Sequence, residues 1–337
     1  MGFCFDKMVN ERIAFLFPGQ GSQYVGMGRD FYEGSRIAAE MFEEANEILG
    51  FNLSSLCFHG PEEILRLTEN TQPAIFIVSA IIFEILKEKG IIPCISAGHS
   101  LGEYSALYAA GSLNFSEGIH LVRLRGRFMQ EAVPVGKGAM AAVIGLGREL
   151  IEGICEKITG EGRNNDLVQP ANYNSPEQIV IAGEKEAVER AVKITQDMGA
   201  KKVVMLSVSA PFHTKMMKPA EDRLSIELDT INFKELIFPV ITNVDAKAIK
   251  NGDEARMALK RQVSNPVRWV ESMKLMIDSG VEIVIEVGPG KVLSGLLKRF
   301  AVNGANLIKK DMRCLHVEDM KSLEKTLKEL RVQELGS

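Results

Sequence analysis

The sequence predicts an α/β protein in which a large domain with a mainly parallel sheet is interrupted by a smaller inserted unit. Short apolar runs alternate with helix-length amphipathic segments over residues 13–300, as is typical of a parallel sheet covered by helices. Apolar runs at 13–17, 94–97 and 281–287 each lead into a turn that contains glycine. The order of elements then changes between residues 136 and 206, which indicates the insert.

The strands predicted for the large domain place their loops at one edge of the sheet. In open α/β sheets, ligands bind at the carboxyl ends of the strands. Each of the three apolar runs is followed by a polar, glycine-containing turn. Candidate functional residues are therefore expected at 18–23, 98–102 and 288–290.

The inserted unit has its own order of elements, which is strand, helix, two strands, helix and strand. They are predicted at 140–144, 148–158, 168–172, 178–182, 185–198 and 202–206. This βαββαβ order is a split-βαβ unit that can close into a separate small sheet. We assign residues 136–206 to this subdomain, and residues 11–135 and 207–312 to the large domain. Residues 1–10 are an N-terminal extension, and residues 313–337 are expected to form a C-terminal helix and tail.

Composition argues against several classes of protein. With 40 basic and 44 acidic residues the net charge is −4, which disfavours a protein that binds nucleic acid by neutralising phosphates. The five cysteines are dispersed and form no Cys-x-x-Cys or Cys/His cluster, so a reducing compartment and no structural zinc are expected. Residues 1–10 contain no apolar run long enough for a signal peptide, so none is expected, and the sequence has no uninterrupted apolar stretch of about 18 residues. We therefore expect a cytoplasmic protein with no membrane partner.

The strongest motif is Gly98-His99-Ser100-Leu101-Gly102, a G-x-S-x-G sequence between a predicted strand and a predicted helix. Flanking glycines permit the strained turn that exposes a serine hydroxyl as a nucleophile. The helix N-terminus then faces the serine, and the amide of Leu101 is the first N–H group able to bind an oxyanion. The alternative is an ordinary strand-to-helix turn with a capping serine.

A serine nucleophile requires a base, and the sequence has five histidines. His213 is the candidate base because it follows the last strand of the insert, on a loop at the same end of the sheet as Ser100. A hydrogen-bonded core histidine is the alternative. His99 is adjacent to Ser100 and is expected to brace the turn. The remaining three are expected to be structural or solvated: His59, His120 and His316.

The third member of a catalytic triad is not evident in the sequence. A hydrolase of this kind would have its acidic residue between the serine and the histidine in chain order, and none stands out there. We therefore expect a serine–histidine dyad. A backbone carbonyl can orient the imidazole in place of a carboxylate.

Arg125 is the candidate for substrate binding, on a helix expected to begin at Ser116 as N-cap. Its neighbours three and four residues away are apolar: Leu121, Val122, Phe128 and Met129. The guanidinium is therefore directed into the protein, where it needs an anion. Two partners remain open, an internal carboxylate or a carboxylate on the substrate.

Several further motifs occur in order between about residue 13 and residue 300. They are Phe17-Pro18-Gly19-Gln20-Gly21-Ser22-Gln23, Gly98-His99-Ser100-Leu101-Gly102-Glu103, Arg125-Gly126, His213, Asn243-Val244, Gln262, Asn265-Pro266-Val267 and Glu286-Val287-Gly288-Pro289-Gly290. Together they resemble the malonyl-coenzyme A:acyl carrier protein transacylases of type II fatty acid synthesis. The resemblance implies a hydrolase-like large domain with a ferredoxin-like small subdomain. It also implies malonyl-CoA and acyl carrier protein as partners, and no cofactor beyond the coenzyme A thioester used as substrate.

The same resemblance implies roles for individual residues. Ser100 is similar to the family's nucleophile and His213 to its base, with the backbone carbonyl of Gln262 orienting the imidazole. The backbone amide of Gln20 resembles a second oxyanion donor beside that of Leu101.

Arg125 resembles the arginine that binds the free malonyl carboxylate, which favours the substrate as its partner. His99 and Asn243 are assigned supporting roles. The chain departs from the family in about ten extra residues before the first strand and in the sequence Ala210-Pro211-Phe212-His213. Phe212 replaces a serine common in bacterial members and resembles malonyl-selective polyketide acyltransferases, so methylmalonyl is not expected as a substrate.

The predicted reaction is ping-pong transfer of malonyl from malonyl-CoA to the phosphopantetheine thiol of acyl carrier protein. The alternatives are a serine thioesterase or other hydrolase, an acyltransferase of a polyketide pathway, and a non-catalytic scaffold that binds the carrier. A hydrolase predicts a third carboxylate and no buried arginine. Four lysines near the insert are candidates for steering the acidic carrier, or form only a solvated face: Lys201, Lys202, Lys215 and Lys218.

Overall fold

The described part of the chain contains ten strands and fourteen α-helices, and their alternation confirms the predicted α/β class. The structure, a computed structural model, describes residues 12–160, 166–208, 210–300 and 312–330. The predicted N-terminal extension lies outside these ranges.

The strands are β1 (Ile13–Phe17), β2 (Ile95–Gly98), β3 (Gly138–Ile144), β4 (Val168–Ser175), β5 (Gln178–Glu184), β6 (Lys202–Met205), β7 (Val240–Ile241), β8 (Ala248–Ile249), β9 (Ile283–Val287) and β10 (Arg313–Val317). The helices are α1 (Arg29–Gly34), α2 (Arg36–Leu49), α3 (Leu53–His59), α4 (Glu62–Leu65), α5 (Thr68–Glu88), α6 (Gly102–Ala109), α7 (Phe115–Glu131), α8 (Arg148–Gly160), α9 (Lys185–Asp197), α10 (Lys218–Thr230), α11 (Gly252–Gln262), α12 (Trp269–Asp278), α13 (Val292–Lys298) and α14 (Met320–Glu329).

A six-stranded sheet forms the centre of the large part of the fold, in the order β10-β9-β1-β2-β7-β8. Its pairs are parallel except for β7 with β8. The central strands β1 and β9 are buried along their whole length, as expected for a parallel sheet covered on both faces. Phe17 pairs with Gly98, and Leu16 pairs with Glu286. The carboxyl ends of β1, β2 and β9 therefore meet at one edge.

A second, four-stranded antiparallel sheet has the order β4-β5-β3-β6. Helices α8 and α9 pack on it through an apolar cluster that includes Ile151, Ile181 and Val188. Its six elements follow the predicted βαββαβ order and lie within residues 138–205. The division of the chain into domains at residues 136 and 206 stays a prediction.

Backbone hydrogen bonds attach the small sheet to the large part of the fold. The amide of Tyr173 in β4 donates to the carbonyl of Val267 at 2.9 Å, and the amide of Val267 donates to the carbonyl of Ala171 at 2.9 Å. Val267 follows α11 by only five residues in the sequence. The small sheet is therefore held beside the end of α11.

Two expectations from the sequence were wrong. Helix α7 begins at Phe115 with Asn114 as its N-cap, where we expected Ser116. Asn114 is the better cap because Glu117, three residues on, donates its amide to Asn114 and accepts from the Asn114 amide in return. Residues 313–317, expected in a C-terminal helix and tail, form edge strand β10 instead. Its few apolar positions carried too little periodicity to reveal a strand.

Helix α5 is the most apolar helix of the described residues and lies in the core. Its length and composition would allow it to span a membrane, but 89% of its most apolar window is buried within the fold. It packs against α7. These two helices bring Gln72 and Arg125 together.

Candidate active site

Ser100 lies in a sharp turn between β2 and α6. Its φ of 52° is in the left-handed region, which is uncommon for a residue with a side chain. The flanking glycines were expected to permit this turn; Gly98 and Gly102 do not themselves have a positive φ, and Ser100 has the strained value. The glycines are required for space. A Cβ on Gly98 would overlap the carbonyl of Gly102, and one on Gly102 would overlap the carbonyl of Phe17.

Asn243 holds the turn in this conformation. Its Oδ1 accepts a hydrogen bond from the Ser100 amide at 2.6 Å, and its Nδ2 donates to the Gly98 carbonyl at 2.7 Å. Asn243 is fully buried, in the segment after β7. The two bonds hold the backbone on each side of His99, so the direction of the Cα–Cβ bond of Ser100 is fixed.

The Ser100 hydroxyl lies against the imidazole of His213, with Oγ and Nε2 separated by 2.7 Å. The other ring nitrogen, Nδ1, faces the carbonyls of Gln262 at 2.9 Å and Asn265 at 3.2 Å. Because carbonyl oxygens only accept, Nδ1 carries the proton and Nε2 accepts from the serine. Burial, with the positive charge of Arg125, lowers the pKa of His213 from 6.5 to about 3. The imidazole is therefore neutral, as a base requires.

Arg125 is buried on α7 beside the same hydroxyl. Its Nη2 donates to Ser100 Oγ at 3.0 Å and to Gln262 Oε1 at 2.9 Å, and its Nη1 donates to Gln72 Oε1 at 2.8 Å. No carboxylate of the described residues lies within 4.0 Å of the guanidinium, and its buried Nε has no hydrogen-bond partner among them. An internal salt bridge, one of our two expectations, is thus not formed there. A buried cation whose hydrogen-bond partners are all neutral can accept an anion from outside.

His99 points away from this cluster. Its Nε2 lies 2.8 Å from Asn174 Oδ1, and its ring packs edge-on against Trp269 with centroids 5.3 Å apart. Asn174 belongs to β4 of the small sheet. The His99 side chain therefore connects the turn around Ser100 to the small sheet and forms no hydrogen bond with the reacting pair.

The loop after β1 passes close to the Ser100 turn. A Cβ on Gly19 would overlap the His99 carbonyl, so only glycine allows this approach. Gln20 follows it, with its side chain donating to Thr68 Oγ1 at 3.3 Å. Neither the Gln20 amide nor the Leu101 amide donates a hydrogen bond to any described residue. Both remain available to an oxyanion.

Phe212 is buried immediately before His213. Its amide donates to the Ala210 carbonyl at 3.1 Å, and the His213 amide donates to the Val263 carbonyl at 3.1 Å. This short turn gives His213 a φ of 61°. The aromatic ring therefore lies in the apolar core next to the base, where a role in acyl selectivity remains a prediction.

The structure adds three residues that sequence reasoning did not assign. Gln72 accepts from Arg125, Asn174 contacts His99, and Glu103 accepts from Gln262 and Asn243. Glu103 had a signal, because it is the only charged residue of α6. Gln72 also had one, as a polar side chain directly before the long apolar run of α5. Asn174 had none, since only the docking of the small sheet brings it to the turn.

Comparison with known proteins identifies the family. The acyl transferase domain family matches residues 14–322. The chain belongs to this acyl transferase family. The resemblance derived from its motifs is thereby confirmed at the level of the family.

Relatives of this acyl transferase match over nearly its full length. The malonyl CoA-acyl carrier protein transacylase of Bacillus subtilis (strain 168) is 45% identical over 320 residues, covering 95% of this chain and 98% of the relative. The protein of the same name from Escherichia coli (strain K12) is 50% identical over 289 residues, covering 86% and 92%.

Solved structures share the fold. An acyl carrier protein S-malonyltransferase from Vibrio cholerae has a TM-score of 0.87 and 44% identity, with 94% of this chain and 100% of that one covered. A malonyl-transacylase solved in complex with a type II PKS acyl-carrier protein has a TM-score of 0.88 and 45% identity, with 95% and 100% covered. The acyl transferase fold of this chain is therefore that of enzymes named for malonyl transfer.

Proposed function

We propose that this protein transfers a malonyl group from malonyl-CoA to the phosphopantetheine thiol of acyl carrier protein, through an ester on Ser100. One observation supports this most directly. The Ser100 hydroxyl lies 2.7 Å from Nε2 of a neutral histidine and 3.0 Å from a buried guanidinium that has no carboxylate partner among the described residues. A nucleophile, a base and a site for the substrate carboxylate therefore meet at one atom. The names of the relatives agree with this activity.

In the first half-reaction, His213 Nε2 removes the proton from Ser100 Oγ as the oxygen attacks the thioester carbon. The amides of Leu101 and Gln20 bind the oxyanion of the tetrahedral intermediate. The carbon–sulfur bond then breaks, and the proton on His213 passes to the departing coenzyme A sulfur. Malonyl-Ser100 remains, with its free carboxylate on Arg125.

In the second half-reaction, the phosphopantetheine thiol gives its proton to His213 and attacks the ester carbon. The bond to Ser100 Oγ breaks, and Oγ recovers the proton from His213. Arg125 keeps the malonyl carboxylate in place, so the ester carbonyl presents the same face to both sulfur atoms. Each half-reaction uses the same base in the same position.

The rival activity is hydrolysis by a serine thioesterase with the same turn. The geometry favours transfer, because His213 Nδ1 contacts two backbone carbonyls where a hydrolase triad has a carboxylate. Brief mixing with malonyl-CoA followed by mass spectrometry of the intact protein separates the two. A stable malonyl adduct that is discharged by holo acyl carrier protein supports transfer, and rapid release of free malonate would reject it. An unmodified protein would indicate a scaffold.

The enzyme could supply malonyl groups to fatty acid synthesis or to polyketide synthesis. We place the enzyme in fatty acid synthesis because its motifs resemble the transacylases of that pathway. We place it in the cytoplasm because the four cysteines of the described residues carry free thiols, as in a reducing compartment: Cys57, Cys94, Cys155 and Cys314. Comparing kcat/KM for carrier proteins of fatty acid and polyketide synthesis tests the assignment. Preference for the fatty acid carrier supports it, and preference for the polyketide carrier rejects it.

A further inference from the structure

Glu103 is a buried carboxyl group directly behind the active site. It lies in the first turn of α6, three residues after Ser100, and is 1% exposed. One of its oxygens, Oε2, accepts two hydrogen bonds, from Gln262 Nε2 at 2.8 Å and from the Asn243 amide at 3.0 Å. It does not bond to Ser100 Oγ, His213 or Arg125 themselves. Its hydrogen bonds therefore reach the reacting groups only through Gln262 and Asn243, while its charge also attracts Arg125 across space.

Gln262 is the junction between these groups. Its backbone carbonyl accepts from His213 Nδ1, and its side-chain Oε1 accepts from Arg125 Nη2. Its Nε2 donates one hydrogen to the Ser100 carbonyl at 2.9 Å and the other to Glu103. One residue thus contacts the base, the substrate-binding arginine and the nucleophile's backbone.

The direction of the Gln262 amide follows from its partners. The Ser100 carbonyl and Glu103 Oε2 both accept, so they select the NH2 end of the amide. The oxygen end is then left facing Arg125, which only donates. A rotated amide would place oxygen against two acceptors and NH2 against a guanidinium, and both contacts would be repulsive.

We propose that Glu103 is a positioning residue, which orients the Gln262 side-chain amide so that its oxygen holds the Arg125 guanidinium beside Ser100. Without Glu103, one hydrogen of the buried amide has no acceptor, and only the Ser100 carbonyl and Arg125 still hold the amide, so its position is less fixed. Arg125 then loses a fixed partner and its place opposite the malonyl carboxylate. The reaction with malonyl should suffer more than the reaction with an acyl group that has no carboxylate. This inference rests on the malonyl transfer proposed above.

The hydrogen-bond acceptor at position 103 is the feature that matters, and its charge is secondary. Burial raises the pKa of Glu103 to about 7, so the neutral acid is readily formed in this site. A glutamine side chain has nearly the same shape, and its Oε1 can accept the same two bonds. Aspartate keeps the charge but is shorter by one methylene, and it withdraws the acceptor from Gln262.

Four variants test the proposal: Glu103→Ala, Glu103→Asp, Glu103→Gln and, as a matched control, Glu286→Ala. The Glu286 side chain is also buried and accepts two hydrogen bonds, from the amides of Leu293 and Ser294, but it does not contact the Gln262 network. The measurement is kcat/KM for malonyl-CoA and for acetyl-CoA, beside the melting temperature of each variant.

We expect Glu103→Ala to lower the malonyl-to-acetyl ratio of kcat/KM by about 10- to 100-fold, the range for losing one hydrogen bond to a charged group. Glu103→Asp should shift the ratio in the same direction, and Glu103→Gln should restore it to within about threefold of wild type. Glu286→Ala should lower stability and leave the ratio unchanged. If Glu103→Ala does not fold, the malonyl-to-acetyl ratios of the Asp and Gln variants are compared instead, and the Gln variant should have the higher ratio. A Gln variant with a lower ratio than the Asp variant would overturn the proposal.

A double variant tests the route of the effect. Because Glu103 acts through Arg125, adding Glu103→Ala to Arg125→Ala should not lower the malonyl-to-acetyl ratio further. A further loss of tenfold or more would contradict the proposal. Failure of malonyl transfer itself is recognised separately, because wild-type protein would then form no malonyl adduct. Equal loss of both activities in every Glu103 variant would reduce its role to stability.

Discussion

Ser100 and His213 are both held in the left-handed backbone region, with φ values of 52° and 61°, and their side chains meet at 2.7 Å. Within the described residues only Ala246 is a third non-glycine case. Each such conformation costs about 1 kcal/mol or more for a residue with a Cβ. The turn contacts of Asn243 and Val263 hold the two residues there. The fold thus gives up some stability at the two residues proposed to react.

Substitutions of Ser100 should distinguish the role of its hydroxyl in the reaction from the effect of its strained backbone on stability. Ser100→Ala should abolish both the malonyl adduct and transfer, because alanine fits the turn but has no nucleophile. Ser100→Gly should be equally inactive but more stable than Ser100→Ala by about 1 kcal/mol, since glycine adopts this φ without strain. Urea unfolding and intact-mass measurements check both parts. An adduct on the alanine variant would place the nucleophile elsewhere.

Replacing Arg125 should change which acyl group is transferred. Arg125→Ala leaves the malonyl carboxylate without its partner in a buried site, at a cost of about 2 to 5 kcal/mol in transition-state stabilisation. Malonyl transfer should fall by about two to three orders of magnitude, while acetyl transfer should fall less. Measuring kcat/KM for both thioesters gives the ratio. A destabilised variant with an unchanged ratio would remove Arg125 from the substrate site.

The depressed pKa of His213 predicts unusual tolerance of acid during catalysis. An imidazole with a pKa of 6.5 would be only about one-tenth neutral at pH 5.5. The buried His213, whose pKa is lowered to about 3, should remain neutral there. The kcat/KM for malonyl-CoA should therefore keep at least about half of its pH 7.5 value at pH 5.5. An acid limb centred near pH 6.5 would contradict this assignment.

The same shift has a consequence for stability. Below pH 6.5 the unfolded state protonates His213 while the native state does not, so its contribution to the free energy of unfolding falls as the pH decreases toward about 3. The loss should reach about 2 kcal/mol between pH 6.5 and pH 5. In His213→Gln, which cannot titrate, the decline between pH 7 and pH 5 should be smaller by that amount. Equal declines in urea unfolding would refute the shift.

Electrostatic attraction of the acidic acyl carrier protein is expected to depend on two of the four candidate lysines. Lys201 pairs with Glu177, and Lys218 pairs with Glu221 and Asp222, whereas Lys202 and Lys215 are exposed without an ion pair to a described residue. Lys202→Glu and Lys215→Glu should raise KM for the acidic carrier by about two- to fivefold, with a smaller effect on malonyl-CoA. Added salt should reduce the difference.

A matched substitution tests the steering hypothesis. Lys218→Gln removes a charge that is already neutralised by its neighbours, so it should change KM for the carrier little. The steering hypothesis would be rejected if Lys218→Gln changed KM for the carrier as much as the two glutamate variants do. It would also be rejected if KM for both substrates depended equally on salt. These lysines would then be ordinary solvated surface residues.

The sequence determined the class of fold, the order of the elements in the insert and the family, but it did not reveal strands β7, β8 and β10. These follow from local patterns, because apolar runs and the glycines of tight turns are visible in neighbouring residues. Strand β1 was predicted with its observed bounds, and the βαββαβ insert was predicted within a few residues at each end. The same patterns indicated Ser100 as the nucleophile of a serine–histidine dyad. The choice of partner for Arg125 stayed open until the family resemblance was considered.

Only the tertiary structure decided how the site is held. Gln72, Glu103 and Gln262 lie on three different helices, and their hydrogen bonds to Arg125 and to one another depend on helix packing. The absence of a carboxylate beside Arg125 in the described residues is likewise a property of the packed core. Residues far apart in the chain meet at hydrogen-bond distance only when the whole core is formed, so their contacts leave no periodic signal in the sequence.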